Sequence, residues 1–201
     1  QLESIVQNEG HYNERIESAR NAYDIKLAER ENAEVVIGTD PDSDRMGIAL
    51  QDKNGKMKVL TGNQIGVLML DYVLTRKKES GTMPSNPATI KSIVTTALAK
   101  KIAEGEGVQN IDVLTGFKFF GEKIKLWEKT NEYTYVFGFE ESFGYLGGTH
   151  ARDKDAVSAA TMIAEACAYF KEKGTACLRQ FLCGYPNTIF AMSAPSFAFF
   201  A

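Results

Sequence analysis

Apolar side chains at Ile16, Ala19, Ala22, Tyr23, Ile25 and Ala28 recur among charged residues at helical spacing and predict one amphipathic helix over 13–33. The helix runs into Val35-Val36-Ile37, which reads as a strand over 34–38. A second strand is predicted over 46–50, and Asn54-Gly55 between it and 57–60 is a strong hairpin signal. Thr61 with Gln64 three residues on has the pattern of a capping box, so a mostly apolar helix should follow over 65–76 and stop before the loop 80–87. Further along, strands are predicted at 89–94, 111–114 and 133–138, with helices at 97–104, 119–129 and 152–173. That alternation predicts an α/β fold, a mixed or largely parallel sheet flanked by helices. After Gly174 the pattern degrades: "NTIFAMSAPSFAFFA" contains Pro195, holds neither period, and predicts no element.

Composition narrows the class. With 201 residues, 44% hydrophobic and 24% charged, the chain has ordinary globular composition and enough length for one large or two small domains. A net charge of −3 with scattered lysines leaves no electrostatic footprint for nucleic acid or an acidic membrane surface. The three cysteines, Cys167, Cys177 and Cys183, have no CxxC spacing, and only His11 and His150 could assist them, which argues against zinc and against a disulfide framework. The stretch Gln1-Leu2-Glu3-Ser4 has neither a basic nor an apolar signal region, and no uninterrupted apolar run nears the roughly 18 residues of a membrane helix. The expected setting is a reducing cytoplasm.

Chemistry concentrates at three strand ends. "GTDPDSDR", 38–45, places Asp40, Asp42 and Asp44 at alternate positions on a turning loop. Three carboxylates so close repel one another, and their hard oxygens suit Mg²⁺ completed by a phosphate oxygen. An EF-hand also begins DxDxD, but Arg45 and Gln51 stand where it needs Gly and Glu. A haloacid-dehalogenase-type phosphatase would use Asp40 as nucleophile but expects Thr or Val at Asp44; it stays open as an alternative. "TGFKFFGEKI", 115–124, sets Lys118 at a helix start, either facing an anion or snorkelling between Phe117, Phe119 and Phe120. "GFEESFGY", 138–145, reads either as a flexible loop after a strand, bearing acceptors and a hydroxyl suited to sugar hydroxyls, or as a polar turn carrying a helix cap. "HARDKDA", 150–156, opens the last helix. Lys154 reads there as charge on a solvated face and His150 as a residue of the helix start, while Arg152 either balances the acidic loop or orients Glu140.

In order and spacing these loops resemble those of the α-D-phosphohexomutases, the phosphoglucomutase/phosphomannomutase superfamily, and are most similar to its bacterial phosphoglucomutase-like branch. The resemblance runs over about 13–174. It implies that 1–58 is the end of the family's second domain with the metal loop, that 59–175 is its third domain with the sugar loop, and that 176–201 is an unassigned apolar tail. It further implies Mg²⁺ on Asp40, Asp42 and Asp44, Arg45 orienting a phosphoryl group, Lys118 facing substrate, and Thr115, Gly116, Glu140, Ser142 and Arg152 in substrate binding, with Glu141 turned away. The substrate would be a hexose phosphate, with glucose and mannose not distinguished. The family's catalytic-serine loop of domain 1 and phosphate-binding loop of domain 4 have no counterpart in these residues. The chain alone is therefore expected to be inactive, and a non-catalytic sugar-phosphate or partner-binding module is the alternative.

Overall fold

The computed structural model describes residues 25–52 and 54–174. Most of the helix expected over 13–33, and the tail 176–201, lie outside the described residues; within that helix, 25–30 are helical. Three strands follow, β1 (Val35–Thr39), β2 (Met46–Gln51) and β3 (Met57–Val59), forming an antiparallel sheet in the order β1-β2-β3. The β1–β2 register pairs Thr39 with Met46, so the acidic segment is the loop of a hairpin. Asn54-Gly55 turns the chain between β2 and β3, as its sequence predicts.

Helix α1 (Gly62–Glu79) begins on the expected capping box: the Gln64 amide N–H donates to Thr61 Oγ1 at 3.3 Å, and the Thr61 N–H donates to Gln64 Oε1 at 2.9 Å. Its end is basic, with Arg76, Lys77 and Lys78 against the partial negative charge of the last carbonyls. Then come β4 (Pro87–Ser92), α2 (Ala97–Gly105), β5 (Gln109–Val113), α3 (Phe117–Thr130), β6 (Thr134–Glu140), β7 (Gly144–Leu146) and α4 (Ala156–Glu172). The second sheet has the order β5-β4-β6-β7, with β4 parallel to both β5 and β6 and β7 antiparallel to β6.

Two cores result. On one side Leu68, Leu98 and Ile102 from α1 and α2, Ile163 and Phe170 from α4, and Phe137 and Phe139 from β6 pack with Met46, Ile48 and Leu50 of β2. On the other, Phe120, Ile124 and Trp127 of α3 pack on Ala88, Ile90, Val113 and Tyr135. The mixed, helix-flanked sheet expected from the sequence is therefore present.

Three local expectations are corrected. Strand β4 ends at Ser92, because the Thr95 N–H donates to the Ser92 carbonyl at 3.1 Å and turns the chain; Ile93 and Val94 are left exposed. Helix α4 starts at Ala156, four residues later than expected, because Asp155 is its N-cap, accepting from the Val157 and Ser158 amides. The "GFEESFGY" stretch is no flexible loop: Glu140 closes β6, Gly144 opens β7, and only Glu141, Ser142 and Phe143 turn between them.

Candidate functional site

The acidic hairpin loop is built by its own first aspartate. Asp40 Oδ1 accepts from the Asp44 and Arg45 amides at 3.1 and 3.0 Å, while the Ser43 N–H donates to the Asp40 carbonyl at 3.0 Å. Ser43 takes a left-handed φ of 57° to make that turn. One carboxylate oxygen each from Asp40, Asp42 and Asp44 then lies within 4.8 Å of the others. Modest contraction would bring them to the roughly 3 Å edges of an octahedron with bonds of about 2.0–2.1 Å, the preference of Mg²⁺ for hard oxygen donors. The donor set therefore fits that ion.

This loop is stitched to the β6–β7 turn. Arg45 forms an antiparallel bridge with Gly144, and the Met46 N–H donates to the Phe143 carbonyl at 3.2 Å. Phe143 sits at φ 68°, a left-handed conformation that costs a bulky side chain roughly 1–2 kcal/mol. Gly62 of α1 packs against the same turn so closely that a Cβ would run into the Glu141 carbonyl. The turn is thus held by a helix start on one side and the acidic loop on the other.

The two glutamates diverge. Glu140 is buried and its Oε1 accepts from the Gly116 amide at 2.6 Å, which ties the β6 end to the start of α3. Burial pushes the Glu140 carboxyl up, the Gly116 N–H opposes that, and the neighbouring Glu141 charge adds to it. Glu141 Oε2 points to the β4–α2 turn, accepting from Ser92 Oγ and Thr95 Oγ1 at 3.0 Å each. Ser142 is half-buried in the turn. Beside Gly116, Thr115 and Lys118 are exposed, and the Lys118 ammonium lies 4.8 Å from the centre of the Phe119 ring.

The structure does not bring Arg152 to the acidic loop or to Glu140. Its guanidinium Nη2 donates to both Glu128 carboxylate oxygens at 2.7 Å, and Nη1 donates to the Thr149 carbonyl at 3.1 Å. Lys154, read from sequence as solvated charge, takes that place instead: its Nζ lies 2.6 Å from Asp44 Oδ2, and its side chain is only 16% exposed. Burial alone would pull the ammonium's pKa down, but the bond to Asp44 and the charge of Asp153 outweigh it and raise it. His150 is where its helix-start reading expected it, 2.9 Å from the capping Asp155.

Sequence reasoning also missed Lys91. Buried at the end of β4, its ammonium donates to the Ser92 and Thr95 carbonyls and pairs with Asp112 at 3.2 Å, which fixes the turn that binds Glu141. A lysine inside the apolar run "ATIKSIV" was the available signal. For Lys154 the signal was a cation between Asp153 and Asp155, just ahead of a helix cap.

The acidic hairpin loop, the start of α3 and the Glu141–Phe143 turn all lie at strand ends of one mixed α/β fold. The model of the phosphoglucomutase/phosphomannomutase alpha/beta/alpha domain III matches residues 61–182, and the chain belongs to that family, within the α-D-phosphohexomutase superfamily. It is 39% identical over 150 residues to a phosphoglucomutase of Staphylococcus epidermidis, covering 75% of this chain and 26% of that protein. The chain thus spans about a quarter of the length of such relatives. Among solved structures, a phosphoglucomutase/phosphomannomutase family protein from Burkholderia thailandensis shares the fold at TM-score 0.56 and 18% identity, covering 72% of this chain and 28% of that one. N-acetylphosphoglucosamine mutase of Aspergillus fumigatus, solved in complex with GlcNAc-6P and magnesium, shares it at TM-score 0.53 and 13% identity, covering 73% and 32%. No helix among the described residues is long and apolar enough to cross a membrane.

Proposed function

We propose that this chain supplies the cation loop and the sugar-binding turn of a Mg²⁺-dependent phosphohexomutase, which moves a phosphoryl group reversibly between the two ends of a hexose phosphate, as from glucose 1-phosphate to glucose 6-phosphate. The observation that carries this reading is the stitching of the Asp40/Asp42/Asp44 loop to the Glu140–Gly144 turn through the Arg45–Gly144 bridge. A cation site and a hydroxyl-binding turn have reason to be coupled when one ligand spans both. The family assignment and the magnesium-bound Aspergillus relative support the same reading.

In this scheme Asp40, Asp42 and Asp44 hold Mg²⁺, which would neutralise charge at the transferring phosphoryl group. Arg45, half exposed beside Asp44, orients that group. Glu140, held by Gly116, and Ser142 accept and donate to sugar hydroxyls, while Thr115, Gly116 and Lys118 present the substrate-facing start of α3. Arg152, engaged with Glu128, reaches substrate only by leaving that pair. Residues 1–58 then belong to the second domain of the family's architecture and 59–175 to the third. The phosphoserine and phosphate-binding parts come from domains 1 and 4, without which the 201 residues alone do not turn over. Glucose and mannose phosphates are both accommodated by this assignment, and a cytoplasmic setting goes with it.

The phosphatase alternative needs a free nucleophile at Asp40, whose Oδ1 is occupied by two backbone amides. The test is a hybrid enzyme in which this segment replaces its counterpart in a full-length mutase. Glu140→Gln or Ser142→Ala should lower kcat/KM about ten- to hundredfold, the effect of losing one hydrogen bond to a substrate hydroxyl, and Glu141→Gln should cost much less. Equal losses at Glu140 and Glu141 would reverse the assignment of the turn. Conversion of glucose 1-phosphate by the unfused chain would overturn the division of labour between domains.

A further inference from the structure

We propose that Lys154 is a resident counter-ion of the acidic loop, which a divalent cation must displace from Asp44, so that this one side chain sets the cation affinity of the site. The inference rests on the cation-loop reading above and goes beyond it, because it assigns a role to a residue outside the loop.

Lys154 Nζ lies 2.6 Å from Asp44 Oδ2, at the distance of a charge-assisted hydrogen bond. An ammonium has three donors and no lone pair, so while protonated it competes for that carboxylate and cannot join a metal's ligands. The contact is also not an incidental surface pair. Only 16% of the Lys154 side chain is exposed, whereas Lys78 and Lys171, in surface pairs elsewhere, are 67% and 69% exposed. Its stem lies across Gly144, where an added Cβ would come within 2.8 Å of Lys154 Cδ. Glycine at 144 is therefore what lets the lysine pass over the turn to reach the acidic loop.

The backbone on both sides fixes this approach. The Ala156 N–H donates to the Ser43 carbonyl at 3.1 Å, inside the acidic loop, and the Asp155 N–H donates to the Tyr145 carbonyl at 2.9 Å, in β7. Lys154 is thus carried on a segment anchored to the acidic loop and to the sugar turn together. With no cation bound, its charge offsets part of the repulsion among Asp40, Asp42 and Asp44. With one bound, the same charge lies close to a divalent ion and repels it.

Titration of the 201-residue chain with MnCl₂, followed by the electron paramagnetic resonance of free Mn²⁺, tests this without any activity readout. Lys154→Met keeps the stem and removes the charge, and should bind Mn²⁺ about tenfold more tightly than the wild type. Lys154→Arg keeps the charge and should remain near wild type. Affinity that is unchanged or weaker in Lys154→Met overturns the proposal while leaving the cation loop standing. If neither chain binds Mn²⁺ at millimolar concentration, both the loop reading and this proposal fall.

Should Lys154→Met not fold, limited acetylation of the wild type by acetic anhydride, read by mass spectrometry, decides the matter. Saturating Mg²⁺ should raise labelling of Lys154 severalfold relative to exposed Lys78, since the amine is released from Asp44. Unchanged or reduced labelling would overturn displacement.

Discussion

Two glutamates in this chain respond to folding in opposite ways, and pH separates them. Burial holds Glu140 above its ordinary pKa, so the folded chain favours its protonated form. Stability from that preference is fully present below the unfolded value of 4.5 and is lost as pH rises through the folded value; at neutral pH the ionised group works against the fold. Glu140→Gln, which can still accept from Gly116, should therefore raise the melting midpoint at pH 7, and the gain should shrink toward pH 4. No gain at pH 7 would mean that the carboxylate is not a local cost. Glu79 is the converse. Hydrogen bonds from Lys173, Tyr169 and Arg76 lower it from 4.5 to about 2. Its contribution is present above 4.5 and lost as pH falls toward 2, so Glu79→Gln should flatten the acid side of the midpoint-versus-pH curve. A carboxylate held by three donors and one held in a buried strand end thus carry opposite signatures.

At the scale of elements, the legible parts were those whose signal is local. The Thr61–Gln64 cap, the Asn54-Gly55 turn and the alternation of strands and helices depend on neighbours a few residues away, and the sequence shows them directly. What was not legible depends on partners far along the chain. The turn at Glu141–Phe143 looked like a free loop because nothing nearby shows that Gly62, some 80 positions earlier, packs on its backbone. Arg152 and Lys154 exchanged roles for the same reason: Glu128 and Asp44, which decide them, lie on separate elements. The aspartates were legible as a group because all three sit in one hairpin loop. Gly62→Ala tests the long-range packing. The added methyl has no room against the Glu141 carbonyl, so α1 or the turn must shift, and a loss of about 1–3 kcal/mol is expected from overpacking. The same substitution at Gly105, which has nothing within 4 Å, should be nearly neutral or slightly stabilising. Urea midpoints of the two variants compare them directly, and equal effects would show that the contact carries no weight.

For the molecule as a whole, the question is whether the boundary proposed near residue 58 separates two folding units. Sheet topology suggests that it does, since β1–β3 share no ladder with β4–β7 beyond the Arg45–Gly144 bridge. Packing argues otherwise. Met46, Ile48 and Leu50 of the first sheet belong to the same core as α1, α4 and Phe139 of the second, so the first sheet buries its apolar face against elements of the second unit. Side chains in a shared core add cooperatively, and a large-to-small change there typically costs 2–5 kcal/mol. Leu50→Ala removes a side chain only 2% exposed on β2, while the single tryptophan, Trp127, sits under α3 in the opposite core. If the described chain is one cooperative unit, Leu50→Ala should lower the urea midpoint seen by Trp127 fluorescence as much as the one seen by far-ultraviolet circular dichroism. If Trp127 keeps its wild-type midpoint while the dichroism transition splits, the first sheet unfolds by itself. The acidic loop would then sit on a separable unit, joined to the Glu141–Phe143 turn and the start of α4 by the Arg45–Gly144 bridge, the Met46 and Ala156 backbone bonds and Lys154.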